Sequence, residues 1–169
     1  MAKVFVTGGA GYVGSQAAKA LVSRGHEVVV FDNLSTGFRE LARYGKFIEG
    51  DLLDSEILHR ELKAFAPDAV MHFAGKALVG ESVEDPASYY RVNVEGSLRL
   101  LEAMRELETL PAFIFSSTCS LYGSVESSLS ELDAVAPMNP YARSKRMVEE
   151  ILADYETAYG QRYISLRYF

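Results

Sequence analysis

Apolar positions along this chain fall into two alternating rhythms. Short runs at Val4-Phe5-Val6, Glu27-Val28-Val29-Val30-Phe31, Lys46 to Glu49, Ala69 to Phe73 and Ala112 to Phe115 have the length and content of strands. Between them apolar residues return at helical spacing. Ala17, Ala18, Leu21 and Val22 predict a first helix that Gly25 ends, and Ser55 to Phe65 a second. Val92, Val94, Leu98, Leu101 and Met104 lie in a long helical stretch, Pro86 to Glu108. Pro140 opens a further helix that reaches Tyr159, in keeping with the preference of proline for a first turn. Gly160 follows, and Arg162 to Phe169 reads as a sixth strand.

Strands that alternate with helices pair in parallel, because each parallel connection needs a crossover. Right-handed crossovers then predict an α/β fold, a doubly wound parallel sheet of three α/β/α layers with strand order 3-2-1-4-5-6. The uninterrupted second strand fits a sheet buried on both faces. No linker, repeat or low-complexity tract divides the chain, so residues 1–169 are expected to form one domain. The longest irregular stretch, Ser116 to Asn139, follows a strand, where such sheets hold their ligands.

Composition narrows the picture. A 49% hydrophobic and 24% charged chain is ordinary for a globular domain, and a net charge of −6 argues against a nucleic-acid partner. An anionic nucleotide remains compatible with that charge if a helix N-terminus holds it. Cys119 is the single cysteine, which excludes an intrachain disulfide. His26, His59 and His72 stand apart without metal-ligand spacing, so no metal is expected, and His72 is read as a packed strand-end residue. The N-terminus enters a strand directly, without signal-peptide features, and no apolar run approaches the roughly 20 residues of a membrane span. These features predict a cytoplasmic protein without a membrane partner.

The first strand ends in Thr7-Gly8-Gly9-Ala10-Gly11-Tyr12-Val13-Gly14. Gly8 permits a tight turn, Gly11 lets backbone approach a pyrophosphate, and Gly14 allows helix to pack closely on strand. The helix that follows would turn its N-terminal N–H groups toward the phosphates. A glycine triplet alone is equally a simple strand-to-helix turn. Here the second strand ends in Asp32, close to the roughly 20-residue spacing at which an acid accepts hydrogen bonds from a ribose. A carboxylate there would repel a 2′-phosphate, which favours NAD over NADP. Asp51, after the third strand, could meet the adenine amino group or simply cap a helix, for which Asp54 is better placed. Phe73-Ala74-Gly75 offers small residues and backbone beside the cofactor.

Tyr141 and Lys145 lie four apart near a helix start, on one face. A free tyrosine ionises near pH 10, and a neighbouring ammonium favours the phenolate, giving a proton acceptor suited to alcohol oxidation. Such a pair is common on amphipathic helices. Its companion is Ser116-Ser117-Thr118-Cys119-Ser120 at the end of the fifth strand. There Ser117, Cys119 and Ser120 are most simply loop residues that satisfy backbone groups, whereas Thr118 is read as a hydroxyl that binds the reacting oxygen.

Taken together, the glycine loop, Asp32-Asn33-Leu34-Ser35-Thr36-Gly37, Gly50-Asp51-Leu52, His72 to Gly75, Val79-Gly80-Glu81-Ser82, Asn93 to Gly96, Ser116-Ser117-Thr118, Pro140 to Lys145 and Leu166 to Phe169 resemble the extended short-chain dehydrogenase/reductase family, on its nucleotide-sugar epimerase branch. The resemblance implies an isomerase that interconverts UDP-glucose and UDP-galactose through a 4-keto sugar. It implies Tyr141, Thr118 and Lys145 as catalytic residues. It also implies a NAD site drawn from Gly8, Gly11, Tyr12, Val13, Gly14, Asp32, Asn33, Ser35, Thr36, Gly37, Asp51, Leu52, Phe73, Ala74, Gly75, Lys76, Asn93, Ser116, Ser117, Tyr141, Lys145 and Phe169. Cys119 and Ser120 replace the acids that related dehydratases carry after the threonine, which favours epimerisation over dehydration. Lys76 stands one position before the family's usual lysine, where Ala77 occurs. The family's chains run to roughly twice this length, so a nucleotide-sugar domain is expected to lie outside this sequence. That leaves a NAD-binding module without turnover, or a sugar dehydrogenase or reductase, as alternatives. Helices 86–108 and 139–159 are expected to pair in a homodimer, or else simply to cover the sheet.

Overall fold

The computed structural model describes residues 1–124 and 128–169. Six parallel strands form one sheet: β1 (Lys3–Thr7), β2 (Glu27–Asp32), β3 (Lys46–Glu49), β4 (Ala69–His72), β5 (Ala112–Ser116) and β6 (Tyr163–Leu166), in the order β3-β2-β1-β4-β5-β6. This is the predicted doubly wound order. Register brings Thr7 level with Phe31 on one side and His72 on the other. The C-terminal ends of the central strands therefore meet at the switch between β1 and β4, where open α/β sheets bind ligands.

Helices α1 (Tyr12–Ser23), α2 (Ser55–Phe65), α5 (Gly96–Arg105) and α6 (Pro140–Tyr159) supply the outer layers. Phe5, Val29, Phe31, Phe113 and Phe115 point to one face and pack with Leu58, Leu62, Leu100, Leu101, Val148 and Leu152 of α2, α5 and α6. Val4, Val6, Val28 and Val30 point the other way, onto Ala18 of α1 and Ala42 of a 3-10 turn, Arg39–Arg43. That second layer covers only part of the sheet. β5 and β6 bury Phe113 and Phe115 but leave Ile164 59% exposed and Leu166 36% exposed on the opposite face. Burial on both faces thus holds for β2, as its apolar run predicts, and not for β6.

Local chemistry explains the helix ends. Asp54 caps α2 by accepting from the Ile57 N–H at 3.3 Å, and Asn139 caps α6 by accepting from Ala142 at 2.8 Å. Gly160 closes α6 in the left-handed region at φ 71°. The predicted long helix is subdivided. α3 (Val79–Glu84) precedes it, α4 (Pro86–Tyr89) passes into a π-helical segment at Tyr90–Glu95, and α5 then runs to Arg105 rather than Glu108. Such π segments recur at functional sites, and this one carries Asn93. The sixth strand is shorter than predicted, ending at Leu166, and the irregular stretch after β5 contains a 3-10 turn at Cys119–Tyr122. No helix among the described residues is long and apolar enough to cross a membrane, and no group of metal-ligating side chains occurs among them.

Candidate functional site

Gly8 and Gly14 occupy the turn and the helix–strand contact that their spacing predicts. Gly8 adopts φ 69°, and a side chain on it would meet the Ala74 nitrogen at 2.4 Å and the Phe73 carbonyl carbon at 2.6 Å. Phe73 and Ala74 thus contribute backbone packed against the loop. Gly14 lies so close to the β1 turn that a Cβ would sit 2.2 Å from the Gly8 carbonyl oxygen. A Cβ on Gly11 meets only that oxygen, at 3.3 Å, so space opens in front of it. Tyr12 and Val13 are exposed beside this space. α1 has no side-chain cap and no acid in its first turn, whereas α2 and α6 are capped by Asp54 and Asn139. An uncapped twelve-residue helix behind side-chain-free backbone fits the pyrophosphate of a dinucleotide.

Asp32 ends β2 almost buried. Its Oδ2 accepts from the Ala10 N–H at 2.9 Å and Oδ1 from Leu34 at 2.8 Å. Each oxygen keeps a lone pair, so the carboxylate can still accept from a ribose. Leu34 has φ 58°, and the turn continues with Ser35 donating its N–H to the Asn33 side chain at 3.0 Å. Thr36 follows, and Gly37 packs on Ala10, where a Cβ would clash at 2.9 Å. Asn33 donates to Asp51 at 2.8 Å, and Asp51 also accepts from the Leu53 N–H at 2.8 Å. Asp51 therefore closes a turn of its own while Asp54 caps α2. Leu52 is buried in the core, so only its backbone can face a cofactor.

On the other side of the switch, Lys145 is buried and its ammonium donates to the Ser116 carbonyl at 2.9 Å, 4.9 Å above the Phe115 ring. No carboxylate pairs with it among the described residues. Burial pushes its pKa down to about 8. The ammonium also faces Gly75, where a Cβ would stand 3.6 Å from Nζ. Gly75 runs at φ 155°, and the segment is held by Asn93, which accepts from the Lys76 N–H at 2.8 Å and donates to the Lys76 carbonyl at 3.0 Å and to Ser144 at 2.9 Å. Tyr141 is half-buried with its ring edge-on to Tyr89 at 6.4 Å, and its hydroxyl makes no hydrogen bond among the described residues. Thr118 is buried and starts the 3-10 turn by accepting from the Ser120 N–H.

Three expected contacts look different in place. The Lys76 ammonium is engaged by Glu81 at 2.8 Å and Ser88 at 3.0 Å. Ser117 turns its hydroxyl to Glu149 at 2.7 Å, satisfying a side chain rather than the backbone. Phe169 stands 86% exposed beyond β6. Sequence reasoning passed over two buried networks. His72 sits between Thr7 at 2.7 Å and Ser97 at 2.8 Å, and Ser97 donates to the Asn93 carbonyl. Because that bond uses the Ser97 proton, the network assigns His72 its proton on Nε2, with Nδ1 accepting from Thr7. Burial and then the Lys145 charge hold the imidazole neutral, at about 3. His72 is thus the packed strand-end residue that was expected. Glu149 gathers Ser117 and Arg167, and its signal was a carboxylate on the Tyr141–Lys145 face beside buried Val148 and Leu152.

The doubly wound sheet, with its glycine loop after β1 and a switch point between β1 and β4, is the architecture of dinucleotide-binding domains of the short-chain dehydrogenase/reductase type. The chain belongs to the NAD dependent epimerase/dehydratase family, which matches residues 4–169. It is 47% identical over 167 residues to a UDP-glucose 4-epimerase of Rhizobium leguminosarum bv. trifolii, covering 98% of this chain and 51% of that protein. It superimposes with a TM-score of 0.95 on UDP-glucose 4-epimerase from Brucella ovis in complex with NAD, at 51% identity, covering 100% of this chain and 52% of that one. The UDP-Glc/GlcNAc 4-epimerase of Campylobacter jejuni matches with a TM-score of 0.94 at 37% identity, covering 100% and 54%. The chain spans about half the length of the curated relatives it matches.

Proposed function

We propose that this chain binds NAD and supplies the proton-transfer residues of a nucleotide-sugar 4-epimerase that interconverts UDP-glucose and UDP-galactose, with a sugar-binding domain supplied by sequence beyond these 169 residues. One observation carries the reading: a buried ammonium that pairs with a backbone carbonyl and, among the described residues, with no carboxylate, four residues from Tyr141 at the mouth of the sheet. A structural lysine at that depth would be paired, because an unpaired buried charge is costly. This one is left to act on what binds in front of it.

Bound NAD would supply reversible hydride chemistry at C4 of the sugar. The chain's residues handle the proton and the geometry. Tyr141 accepts the proton of the sugar 4-OH, helped by the Lys145 charge, which favours the phenolate. Thr118 hydrogen-bonds the same oxygen. Lys145 would hold the nicotinamide ribose, while Asp32 would accept from the adenosine ribose and Gly11 would admit the pyrophosphate. Asn93 keeps the Gly75–Lys76 backbone aligned beside the ring. Replacing Tyr141 with Phe should lower UDP-galactose turnover by about 10²–10⁴-fold while NADH still binds. Unchanged turnover in that variant would overturn the assignment. Saturable NADH binding with no turnover by the 169-residue chain favours a cofactor module instead, and net NADH release from a sugar would indicate a dehydrogenase.

The reading extends to a homodimer through helices 86–108 and 139–159 and to a cytoplasmic setting. Leu98, Met147 and Tyr159 leave apolar area exposed on those two helices, which supports the pairing. A monomeric mass by light scattering would contradict it.

A further inference from the structure

Tyr141, Lys145 and Glu149 form one stripe along α6, successive residues one turn apart. The first two face the reaction. The third is nearly as buried as Lys145, 7% exposed against 5%, yet it points to the loop that carries Thr118. Its Oε1 accepts from Ser117 at 2.7 Å and from Arg167 Nε at 3.0 Å, and its Oε2 from Arg167 Nη2 at 2.7 Å. Arg146 adds a more distant charge at 3.7 Å. Arg167 then donates through Nη1 to the Tyr122 hydroxyl at 2.6 Å and lies over its ring. Ser117 precedes Thr118, and Tyr122 closes the turn that Thr118 begins. One carboxylate therefore grips the Thr118 turn at both ends, directly and through a forked guanidinium.

We infer that Glu149 is a positioning residue: with Arg167 it locks the Ser116–Tyr122 loop in register with the helix that carries Tyr141 and Lys145. Two backbone facts agree with this role. The Ser116 carbonyl, adjacent to the gripped Ser117, is the only hydrogen-bond partner of Lys145 among the described residues. The loop is also tied to the strand beyond it, through Ser117 N–H to Leu166 O at 2.8 Å and Cys119 N–H to Tyr168 O at 2.8 Å. Arg167 lies on that same segment, so the ion pair clamps three pieces of chain together. Bidentate charge-assisted pairs of this kind fix direction as well as distance. A carboxylate two turns from Tyr141 thus sets where the Thr118 hydroxyl and the Ser116 carbonyl stand, without touching either.

The consequence for the cofactor rests on the reading proposed above, and the test separates the two. Glu149→Gln keeps the size of the side chain but loses its charge, and Ser117→Ala removes a single bond should the first variant fold poorly. Hydrogen exchange on the cofactor-free chain is expected to rise about tenfold at the Ser117 and Cys119 amides, with Phe5 and Val29 in the central strands unchanged. NADH affinity should fall about fivefold or more while ADP affinity stays constant, because ADP uses only the Gly11 and Asp32 side. A merely structural role would weaken both ligands together or neither, and either of those results overturns the proposal. Unchanged exchange at Ser117 and Cys119 overturns it as well. If the unsubstituted chain bound neither NADH nor ADP, the cofactor reading would fall, and exchange at the loop would decide the positioning role by itself.

Discussion

The two sides of the switch between β1 and β4 are built by different means. On the β1–β3 side, Gly8 to Gly14 and Asp32 to Gly37 are shaped by bonds to backbone, within a loop as from Leu34 to Asp32 and between the two loops as from Ala10 to Asp32. Both sheet faces there are covered. On the β4–β6 side, shape depends on side chains that reach across the chain. Asn93 bonds Ser144 across 51 positions, Ser117 bonds Glu149 across 32, and Thr7 bonds His72 across 65. One face of β6 is open there. A phosphate loop needs close backbone approach, which glycine provides locally. A proton-transfer site needs a hydroxyl, an amine and a phenol from three elements, and only long-range bonds can align them.

Substitutions on the two sides should therefore fail differently. The largest effect is expected at Gly14→Ala, where a Cβ meets backbone at 2.2 Å that has no room to move. About 3 kcal/mol or more should be lost in a denaturant titration, if the variant folds at all. Asn93→Ala comes next. It strands the Lys76 N–H and Ser144, and about 2 kcal/mol should disappear from the same titration. A loss below about 0.5 kcal/mol would break the contrast between the two sides.

Lys145→Met reverses the sign. The folded chain releases this proton at about 8 and the unfolded chain at 10.5, so stability of the parent rises with pH across that interval. Below pH 8 the penalty is fully present, and removing the amine should raise stability by about 2 kcal/mol after the lost Ser116 bond is allowed for. The rise between pH 8 and 10.5 should flatten in thermal melts of the variant. Gly11→Ala sharpens the comparison from the other side. Its Cβ would press on the Gly8 carbonyl oxygen at 3.3 Å and on nothing else, so melting should fall only slightly while NADH affinity falls about tenfold. The smallest effect belongs to Lys76→Ala. Its ammonium serves Glu81, whose carboxyl it holds below the usual range together with Tyr89, and NADH affinity should stay within about twofold. A larger drop would return Lys76 to the cofactor site.

Much of this was legible beforehand because it follows from neighbours in sequence. Strand runs, the helix cap at Asp54, the opening of α6 at Pro140, the glycine loop and the Tyr141–Lys145 pair depend on residues a few positions apart. The missed features follow the same rule. The π-helical segment at Tyr90–Glu95 has no period of its own to betray it, and Pro86 to Glu108 reads as an unbroken helix. The side-chain directions of Lys76 and Ser117 were not legible, because motif position places a residue in a loop without saying which way its side chain turns. The carboxylates that decide those directions, Glu81 and Glu149, lie on helices packed against the loops.

The sequence by itself determined the strand order, the glycine turn after β1, the acid that ends β2 and the spacing of phenol and amine. Each of these is written in periodicity or in residues within one turn or loop. Tertiary structure alone decided that the Lys145 ammonium lies on the Ser116 carbonyl, that His72 is neutral between two hydroxyls, and that Glu149 and Arg167 grip the Thr118 turn. Those outcomes depend on burial and on contacts between distant segments, and a side chain's charge state and direction are set by what surrounds it after the chain has closed on itself.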